Sequence, residues 1–339
     1  MLKVGIVGYG YWGPNLVRNF SQAPGTDVRM IADVDPERRI LASRLHGNVV
    51  VTHDFDDLLK GTATDVIAIA TPLSTHFSLA KAALQAGRHV LIEKPIASTP
   101  DEAKQLIEIA EKNNRILMVD HTFVYSEPVR KTRELVQNGE IGEIFYFDSV
   151  RVNLGLFQHD TNVIYDLAVH DLSIMDYVLG RNPSVVSATG ASHFADQTEN
   201  VAFMSLMFPE SSLIAHIHVN WLAPVKVRRT MIGGSKKMIV YDDLEPSEKI
   251  KIYDKGIEVS GDSDEVKKFL PSYRIGDLWV PNIKMGEPLQ AMVQHLVDCI
   301  ENDRKPITDG ETGLRIIRYL DAANQSMKSN GMPVEIEKD

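Results

Sequence analysis

Cysteine is almost absent from this sequence, and so are long apolar runs and clusters of metal ligands. The chain has 339 residues and a single cysteine, Cys299, so no internal disulfide can form. No C-x-x-C or H-x-x-x-H cluster supplies a set of zinc ligands, and we predict no metal site. No apolar run approaches the roughly 18 residues of a membrane-spanning helix, so we expect no membrane partner.

Positive charge is in the minority. Lysine and arginine number 36 against 46 aspartates and glutamates, for a formal net charge of −10. This balance argues against nucleic acid or an anionic membrane as a partner, although a local basic pocket remains compatible with an anionic small substrate. The chain opens MLKVGIVGYG, directly into a strand pattern without a signal peptide, and we therefore expect a cytoplasmic protein.

The first third of the chain alternates strand and helix patterns. Helical stretches such as 75–86 and 100–113 separate short apolar segments rich in Val and Ile, as strands covered on both faces must be. This rhythm predicts an α/β fold with a doubly wound, parallel Rossmann sheet. The predicted strands are 2–7, 28–32, 49–52, 66–70, 89–92 and 115–119.

The pattern changes after about residue 122. Six strand candidates follow, at 144–152, 184–192, 201–208, 213–221, 226–232 and 238–241, with one helix among them at 162–179 and two closing helices at 287–302 and 311–329. Segment 249–283 is expected to be loops with one short strand. We predict a C-terminal α+β domain with a large mixed or antiparallel open sheet.

A chain of 339 residues exceeds what one compact core usually holds, so we predict two domains. Residues 1–121 would form the dinucleotide-binding Rossmann domain, and residues 122–339 a domain for substrate binding and oligomerisation. An exposed face of a large sheet is usually buried by association with another copy of the chain. We therefore predict a homodimer or homotetramer.

A glycine-rich turn follows the first strand. The residues Gly8, Gly10 and Gly13 form the pattern G-x-G-x-x-G between a strand and a helix. Gly8 permits the tight turn, Gly10 lets the backbone approach a pyrophosphate, and Gly13 lets the helix pack close to the sheet. The free N–H groups at the helix start favour phosphate. The turn, with its side chains Tyr11 and Trp12, is a predicted cofactor site.

The second strand is followed by Asp33, 20 residues after Gly13. A carboxylate at this place accepts hydrogen bonds from the adenosine ribose hydroxyls and repels a 2′-phosphate. This favours NAD over NADP as the cofactor. Arg38 and its neighbour Arg39 weaken the exclusion, because an arginine can hold the additional phosphate.

Two further strand ends bring polar residues to the same sheet edge, where ligands of open α/β sheets bind. Thr71-Pro72 ends the fourth strand, and His76 lies just inside the next helix, either as a cofactor contact or as an ordinary polar residue of a first turn. The fifth strand ends in Glu93-Lys94 before a proline. The predicted cofactor neighbours at these ends are Thr71, Pro72, His76, Glu93 and Lys94.

The sequence resembles the Gfo/Idh/MocA family of NAD(P)-dependent sugar and polyol dehydrogenases along the whole chain. The resemblance rests on GYGYWG, ADVDPERR, ATPLSTH and EKPIA, on the sheet-rich second half, and on the helix that contains Asp166 and His170. It implies that Lys94 lies beside the nicotinamide and the reacting hydroxyl, where it orients substrate and relays a proton. Glu93 would neighbour the nicotinamide end.

Asp166 and His170 are four residues apart and share one face of the predicted helix. The family has a D-x-x-x-H pair here. Oxidation of an alcohol by NAD requires a base for the hydroxyl proton, and histidine titrates near neutrality. We predict His170 as this base, with Asp166 either orienting it or binding a substrate hydroxyl. The alternative is an ordinary helix pair.

The segments around Arg151-Val152-Asn153 and from Trp221 to Arg228 resemble the branch of the family that acts on UDP-N-acetylglucosamine and its uronic acid. Arg151, Lys226 and Arg228 are candidates to meet the two phosphates of a nucleotide sugar, or else belong to the polar face of exposed strands. Asn153 would hold a sugar hydroxyl or satisfy a loop. Trp221 would stack on a ring or fill the core.

The resemblance therefore implies an NAD-dependent dehydrogenase that oxidises a ring hydroxyl, at C3, of a nucleotide-linked sugar. The 3-keto product suits a partner aminotransferase. Three other functions stay open: a free-polyol or aldose dehydrogenase of the inositol type, an NADPH-dependent 3-ketosugar reductase, and a non-catalytic regulator that senses NAD or a sugar.

Overall fold

A computed structural model of the chain describes residues 1–155, 161–194, 198–209, 211–260 and 270–337. Its contacts divide the chain into two compact units. The first contains Met1–Ser126 and Gly286–Asp321, and the second contains Glu127–Met285 and Ala322–Asp339. The chain thus passes into the second unit five residues after the predicted boundary of 121. The return of 286–321 to the first unit differs from the single continuous segment expected for 122–339.

Helices make up much of both units. None of the described helices is both long enough and apolar enough to span a membrane. The helices are α1 Gly13–Gln22, α2 Pro36–Leu45, α3 Asp56–Leu59, α4 Leu73–Gln85, α5 Pro100–Lys112, α6 Glu127–Gln137, α7 Val169–Leu179, α8 Pro288–Glu301 and α9 Gly310–Lys328.

The first unit contains a six-stranded parallel sheet in the order β3-β2-β1-β4-β5-β6. This order and the helices between the strands confirm the predicted doubly wound Rossmann fold. Strand β4 is buried along its whole length, as its unbroken apolar run indicates. The strands are β1 Leu2–Val7, β2 Thr26–Ala32, β3 Val50–Thr52, β4 Val66–Ile69, β5 His89–Glu93 and β6 Leu117–Asp120.

The returning segment 286–321 is bound to the edge of this sheet by hydrogen bonds to the backbone of β6. The amide of Val119 donates to the carbonyl of Thr308 at 2.8 Å, and the hydroxyl of Thr308 donates to the carbonyl of Val119 at 2.7 Å. At the start of α8, Glu287 forms an ion pair of 2.6 Å with Arg18 of α1. These bonds join residues far apart in the chain and leave no pattern in the local sequence. The return of 286–321 to the first unit was therefore not predicted.

The second unit contains a nine-stranded mixed sheet in the order β16-β13-β12-β11-β7-β10-β9-β8-β17, and a separate pair β14-β15. Strands β7 and β10 pair in parallel, whereas β11 and β7, for example, pair antiparallel. The predicted α+β domain is therefore confirmed. The strands are β7 Ile144–Leu154, β8 Val185–Ala191, β9 Val201–Met207, β10 Ile214–Asn220, β11 Leu222–Gly234, β12 Met238–Asp242, β13 Ile250–Tyr253, β14 Gly256–Ser260, β15 Leu270–Arg274, β16 Leu278–Trp279 and β17 Val334–Glu335.

Two local predictions for this unit were wrong. The segment 249–283 contains four strands, β13 to β16, instead of one, although 261–269 lies outside the described residues. Helix α6 was not predicted. Its buried positions Val129, Thr132 and Leu135 recur at helical spacing, and α6 packs against α7, so the pattern was present but short and interrupted by charge.

One face of the nine-stranded sheet exposes apolar side chains. Alternate residues of β9 and β10, such as Met204 and Ile217, are fully buried. The residues between them are not, because Phe203 is 44% exposed and Ile214 46% exposed. The ring of Phe203 stacks on that of His218 with a centroid distance of 4.4 Å. We call the surface formed by Phe203, Met207, Ile214, His216 and His218 the open face.

Candidate active site

The glycine turn lies between β1 and α1 and accepts only glycine at two positions. Gly8 has a φ of +90°, and a Cβ there would lie 2.3 Å from the carbonyl oxygen of Ala70. A Cβ on Gly13 would lie 2.1 Å from the carbonyl oxygen of Gly8. Helix α1 begins at Gly13 with a proline in its first turn. The backbone therefore forms a closely packed cradle that fits a pyrophosphate at a helix start.

Asp33 follows β2 and is buried at the same edge. One of its carboxylate oxygens accepts from the amide of Tyr9 at 2.6 Å, and the other accepts from the amide of Asp35 at 2.8 Å. The guanidinium of Arg38 lies 3.9 Å from the carboxylate and 3.2 Å from the position that a Cβ on Gly10 would take. The structure thus brings together the glycine turn, Asp33 and Arg38, as predicted from their spacing.

His76 is one percent exposed, and its ring joins two loops of the first unit. Nδ1 lies 2.8 Å from the carbonyl oxygen of Pro95, and Nε2 lies 2.9 Å from that of Thr71. These contacts hold the loop after β4, which includes Pro72, beside the segment that follows Lys94. The role of His76 as a cofactor contact stays a prediction.

Four polar residues meet where β5 and β6 end. Glu93 of β5 stands directly opposite Asp120 of β6 in the parallel register. Nε1 of Trp12, from the glycine turn, donates to Asp120 at 2.9 Å. The backbone amide of Lys94 lies 3.3 Å from Oε2 of Glu93. Burial, and then the charge of Asp120, raise the pKa of Glu93 well above its usual value, while Lys94 acts in the opposite direction.

The next residue, His121, is one percent exposed. Burial, and secondarily the positive charge of Lys94, lower the pKa of His121 to about 3. The ring is therefore neutral at physiological pH. Neither ring nitrogen has a hydrogen-bond partner among the described residues. Asp120 and His121 were missed by sequence reasoning. Their signal was the one used for Glu93-Lys94, a charged pair directly after an apolar strand.

In the second unit, Asp166 lies in a π-helical turn, Ile164–Ala168, that leads into α7. Such turns are rare and occur frequently at functional sites. Oδ2 of Asp166 accepts from Nε1 of Trp221 at 3.0 Å, and Trp221 is one percent exposed. Of the two interpretations of Trp221, its burial favours the core, where its indole N–H orients the carboxylate of Asp166.

His170 lies in the first turn of α7, half-buried, and its neighbour Asp171 ties this turn to the sheet. Nε of Arg151 donates to Asp171 at 2.7 Å, and both side chains are 3% exposed. Oγ of Ser149 also donates to Asp171 at 2.7 Å and lies 3.1 Å from Oγ1 of Thr230. The predicted phosphate contact of Arg151 is corrected, since its guanidinium is committed to a buried ion pair.

The remaining predicted substrate residues lie on β7 and β11. Lys226 is exposed, and Asn153 is half-buried near the end of β7. Arg228 donates to Asp243 at 3.1 Å, so part of its charge is offset within the unit. Lys226, Arg228 and Asn153 thus stay predictions as substrate residues. Among the residues described, no group of three or more His, Cys, Asp or Glu side chains could hold a metal ion.

Two family models match this chain. The model of the oxidoreductase family with an NAD-binding Rossmann fold matches residues 2–121, and that of its C-terminal alpha/beta domain matches residues 133–336. The chain belongs to the Gfo/Idh/MocA oxidoreductase family. The first unit is accordingly the NAD-binding Rossmann fold of this family, which agrees with the glycine cradle and with the position of Asp33.

Individual relatives are distant but match over nearly the full length. An uncharacterized oxidoreductase, YrbE of Bacillus subtilis, is 25% identical over 99% of this chain and 97% of its own. The UDP-N-acetylglucosamine 3-dehydrogenase of Acidithiobacillus ferrooxidans is 26% identical over 93% of this chain and 94% of its own. The WlbA dehydrogenase of Bordetella pertussis, solved with NADH and UDP-GlcNAcA, has the same fold, with a TM-score of 0.81, 20% identity, and coverage of 100% of this chain and 99% of that one.

Substitution of Gly13 by alanine tests the glycine cradle. We expect Gly13→Ala to weaken NAD binding by at least about tenfold and to lower the free energy of unfolding by roughly 1–3 kcal/mol, because the new Cβ forces the turn away from Gly8. Calorimetric titration with NAD and urea unfolding measure both. Gly47→Ala, where a Cβ meets nothing within 4 Å, is the control. Unchanged NAD affinity in Gly13→Ala would contradict the interpretation of the glycine turn as the NAD site.

The buried Arg151–Asp171 pair gives a second prediction. Arg151→Met leaves the carboxylate of Asp171 buried without its ion-pair partner, and we expect a loss of roughly 3–5 kcal/mol in the free energy of unfolding. The double variant Arg151→Met/Asp171→Leu should recover most of this loss. Arg29→Met, which breaks an exposed pair with Asp27, should cost less than about 1 kcal/mol. Urea unfolding measures these losses. If Arg151→Met and Arg29→Met lowered the free energy of unfolding equally, a structural role for Arg151 would be contradicted.

Proposed function

We propose that this protein is an NAD-dependent dehydrogenase that oxidises the C3 hydroxyl of a nucleotide-linked sugar, such as UDP-N-acetylglucosamine or its uronic acid, to the 3-keto sugar. The observation that carries the proposal is the position of Lys94. It directly follows β5, and in the same unit Gly8 follows β1 and Asp33 follows β2. The choice of sugar is supported by the relative that is a UDP-N-acetylglucosamine 3-dehydrogenase.

When bound, NAD supplies the hydride acceptor. The residues of this chain then have to hold the sugar and move one proton. We assign to Lys94 the orientation and polarisation of the reacting oxygen. His170 accepts the hydroxyl proton as the hydride leaves carbon, so that the alcohol loses two electrons and two hydrogens in total. Asp166, whose carboxylate is oriented by Trp221, orients His170 or binds a second hydroxyl.

The residues around the glycine cradle support NAD rather than NADP. The buried carboxylate of Asp33 places negative charge where a 2′-phosphate would have to be accommodated. The guanidinium of Arg38 lies beside this carboxylate and is also 3.4 Å from Asp35. Its charge is thus partly offset by two acids, which favours the unphosphorylated ribose.

Formation of NADH, followed by near-UV absorbance, tests the reaction. We expect turnover with UDP-N-acetylglucosamine or its uronic acid and none with free inositol or glucose, with a 2-oxo acid added in a parallel series to release tightly held NADH. Lys94→Met should lower kcat by at least about 10²-fold while NAD affinity changes little, because the lysine acts on substrate.

Two results would contradict this proposal. Turnover with free polyols alone would assign the protein to the inositol type. NAD binding without turnover on any substrate would favour a sensing regulator. Lys104→Met, on the outer surface of α5 in the same unit, is the matched control and should leave kcat unchanged.

We further propose that the protein self-associates as a homodimer or homotetramer through the open face. Exposed apolar residues on neighbouring strands, Phe203, Met207 and Ile214, are unusual for a surface in contact with water and typical of an interface. The 3-keto product would serve a partner aminotransferase, since an amine donor reacts with a ketone and not with the parent alcohol.

Substitution of Phe203 by aspartate tests the open face. We expect Phe203→Asp to shift the protein to a monomer, because a charge at the centre of an apolar interface cannot be desolvated without a large cost. Light scattering coupled to size-exclusion chromatography measures the mass. Phe194→Asp, which replaces another exposed phenylalanine of the same unit, is the control. A wild-type monomer would overturn the proposed interface.

A further inference from the structure

We propose that Glu93 and Asp120 share a single proton as an acid pair and that this pair, through Trp12, couples the glycine turn to the surroundings of Lys94. The two acids are positioning residues. Their role in the reaction rests on the proposed dehydrogenase function, whereas the shared proton is a property of the protein without cofactor or substrate.

Glu93 and Asp120 meet at the ends of their strands. Glu93 and Asp120 are the last residues of neighbouring parallel strands and stand opposite each other in the register. Their carboxyl groups lie within reach of a hydrogen bond. Two ionised carboxylates have no proton to place between them and repel each other. A contact of this kind is stable only when one of the two groups is protonated.

The surroundings of one carboxyl oxygen of Glu93 also indicate a proton on this acid. Oε1 of Glu93 is buried and receives no hydrogen bond from any described donor. An ionised oxygen in that state is costly, because it has lost its water without gaining a partner. As a neutral acid, Glu93 carries no negative charge on this buried oxygen, and the penalty is reduced. A proton on Glu93 therefore explains both the buried oxygen without a donor and the carboxylate of Asp120 that faces it.

The hydrogen-bond donors around the two acids differ. Asp120 accepts hydrogen bonds from Nε1 of Trp12 at 2.9 Å and from the hydroxyl of Thr122. Two donors favour the anionic form of the acid that receives them. Among the described residues, the one donor that reaches Glu93 is the backbone amide of Lys94, at 3.3 Å. The proton consequently resides on Glu93, in agreement with the direction of its pKa shift.

The charges around the pair come from both strand ends. Lys94 follows Glu93, and its positive charge acts on both Glu93 and His121. His121 follows Asp120 and is neutral, because burial lowers its pKa to about 3. With one proton on the acid pair, a single negative charge stands near the lysine. Loss of that proton adds a second negative charge and separates the two carboxyl groups, which disturbs the anchor of Trp12.

The shared proton is tested on the cofactor-free protein by infrared difference spectroscopy. At neutral pH, we expect wild type to show the carbonyl band of a neutral carboxylic acid that is absent from Glu93→Gln. The band should persist in Glu37→Gln, which removes an exposed glutamate of α2. A wild-type spectrum without this band, or a difference that contains only ionised carboxylate, would overturn the proposal.

The coupling to the glycine turn is tested by NAD affinity as a function of pH. In Glu93→Gln the amide N–H replaces the acid proton, so we expect a smaller loss of affinity than in Asp120→Asn and no alkaline decline. Asp120→Asn leaves Trp12 and Thr122 with one acceptor oxygen, and we expect about tenfold weaker binding. Trp12→Phe should match that loss. Wild type should lose affinity as pH rises through the raised pKa of Glu93.

Equal losses in Glu93→Gln and Asp120→Asn, or a Glu93→Gln variant that keeps the alkaline decline, would overturn the coupling. These outcomes are independent of the substrate. A protein that binds NAD with this pH dependence and oxidises no sugar would contradict the proposed dehydrogenase function and leave the acid pair intact. Sugar oxidation by a protein whose Glu93 is ionised would contradict the acid pair and leave the proposed dehydrogenase function intact.

Discussion

Parallel hydrogen bonding brings the carboxyl ends of β1, β4, β5 and β6 to one edge of the first sheet, and the chemistry of that unit depends on this arrangement. Strands that run in one direction must place the loops that follow them side by side. Residues far apart in the chain therefore become neighbours. Trp12 donates to Asp120 across 108 positions, and Glu93 meets Asp120 because the register of β5 and β6 aligns their last residues.

Burial then sets the protonation states at this edge. Removal of water disfavours charged groups, so burial raises the pKa of Glu93 well above its usual value and lowers that of His121 to about 3. Asp120, in contrast, accepts hydrogen bonds from Trp12 and Thr122. Burial and the available donors therefore differ from one group to the next around Lys94.

The second unit uses buried polar contacts to hold its candidate catalytic residues in place. Asp171 is tied to the sheet by Arg151 and Ser149, and Asp166 is oriented by Trp221. Arg151 and Trp221 have the chemistry that phosphate and sugar recognition require, and for that reason sequence reasoning left each of them between a substrate contact and a structural role. Their burial assigns them to the helix that contains His170 instead. A side chain of suitable type can serve either purpose, and only its surroundings distinguish the two.

Features that depend on a few consecutive residues followed from the sequence alone. The glycine turn was predictable because Gly8 and Gly13 meet steric limits set by the neighbouring backbone. Short apolar segments rich in Val and Ile likewise predicted the strands of the first sheet. The return of 286–321 to the first unit, the Glu93–Asp120 contact and the burial of Arg151 were decided by tertiary structure. Each depends on a contact between residues distant in the chain, and such a contact leaves no periodic trace in either segment.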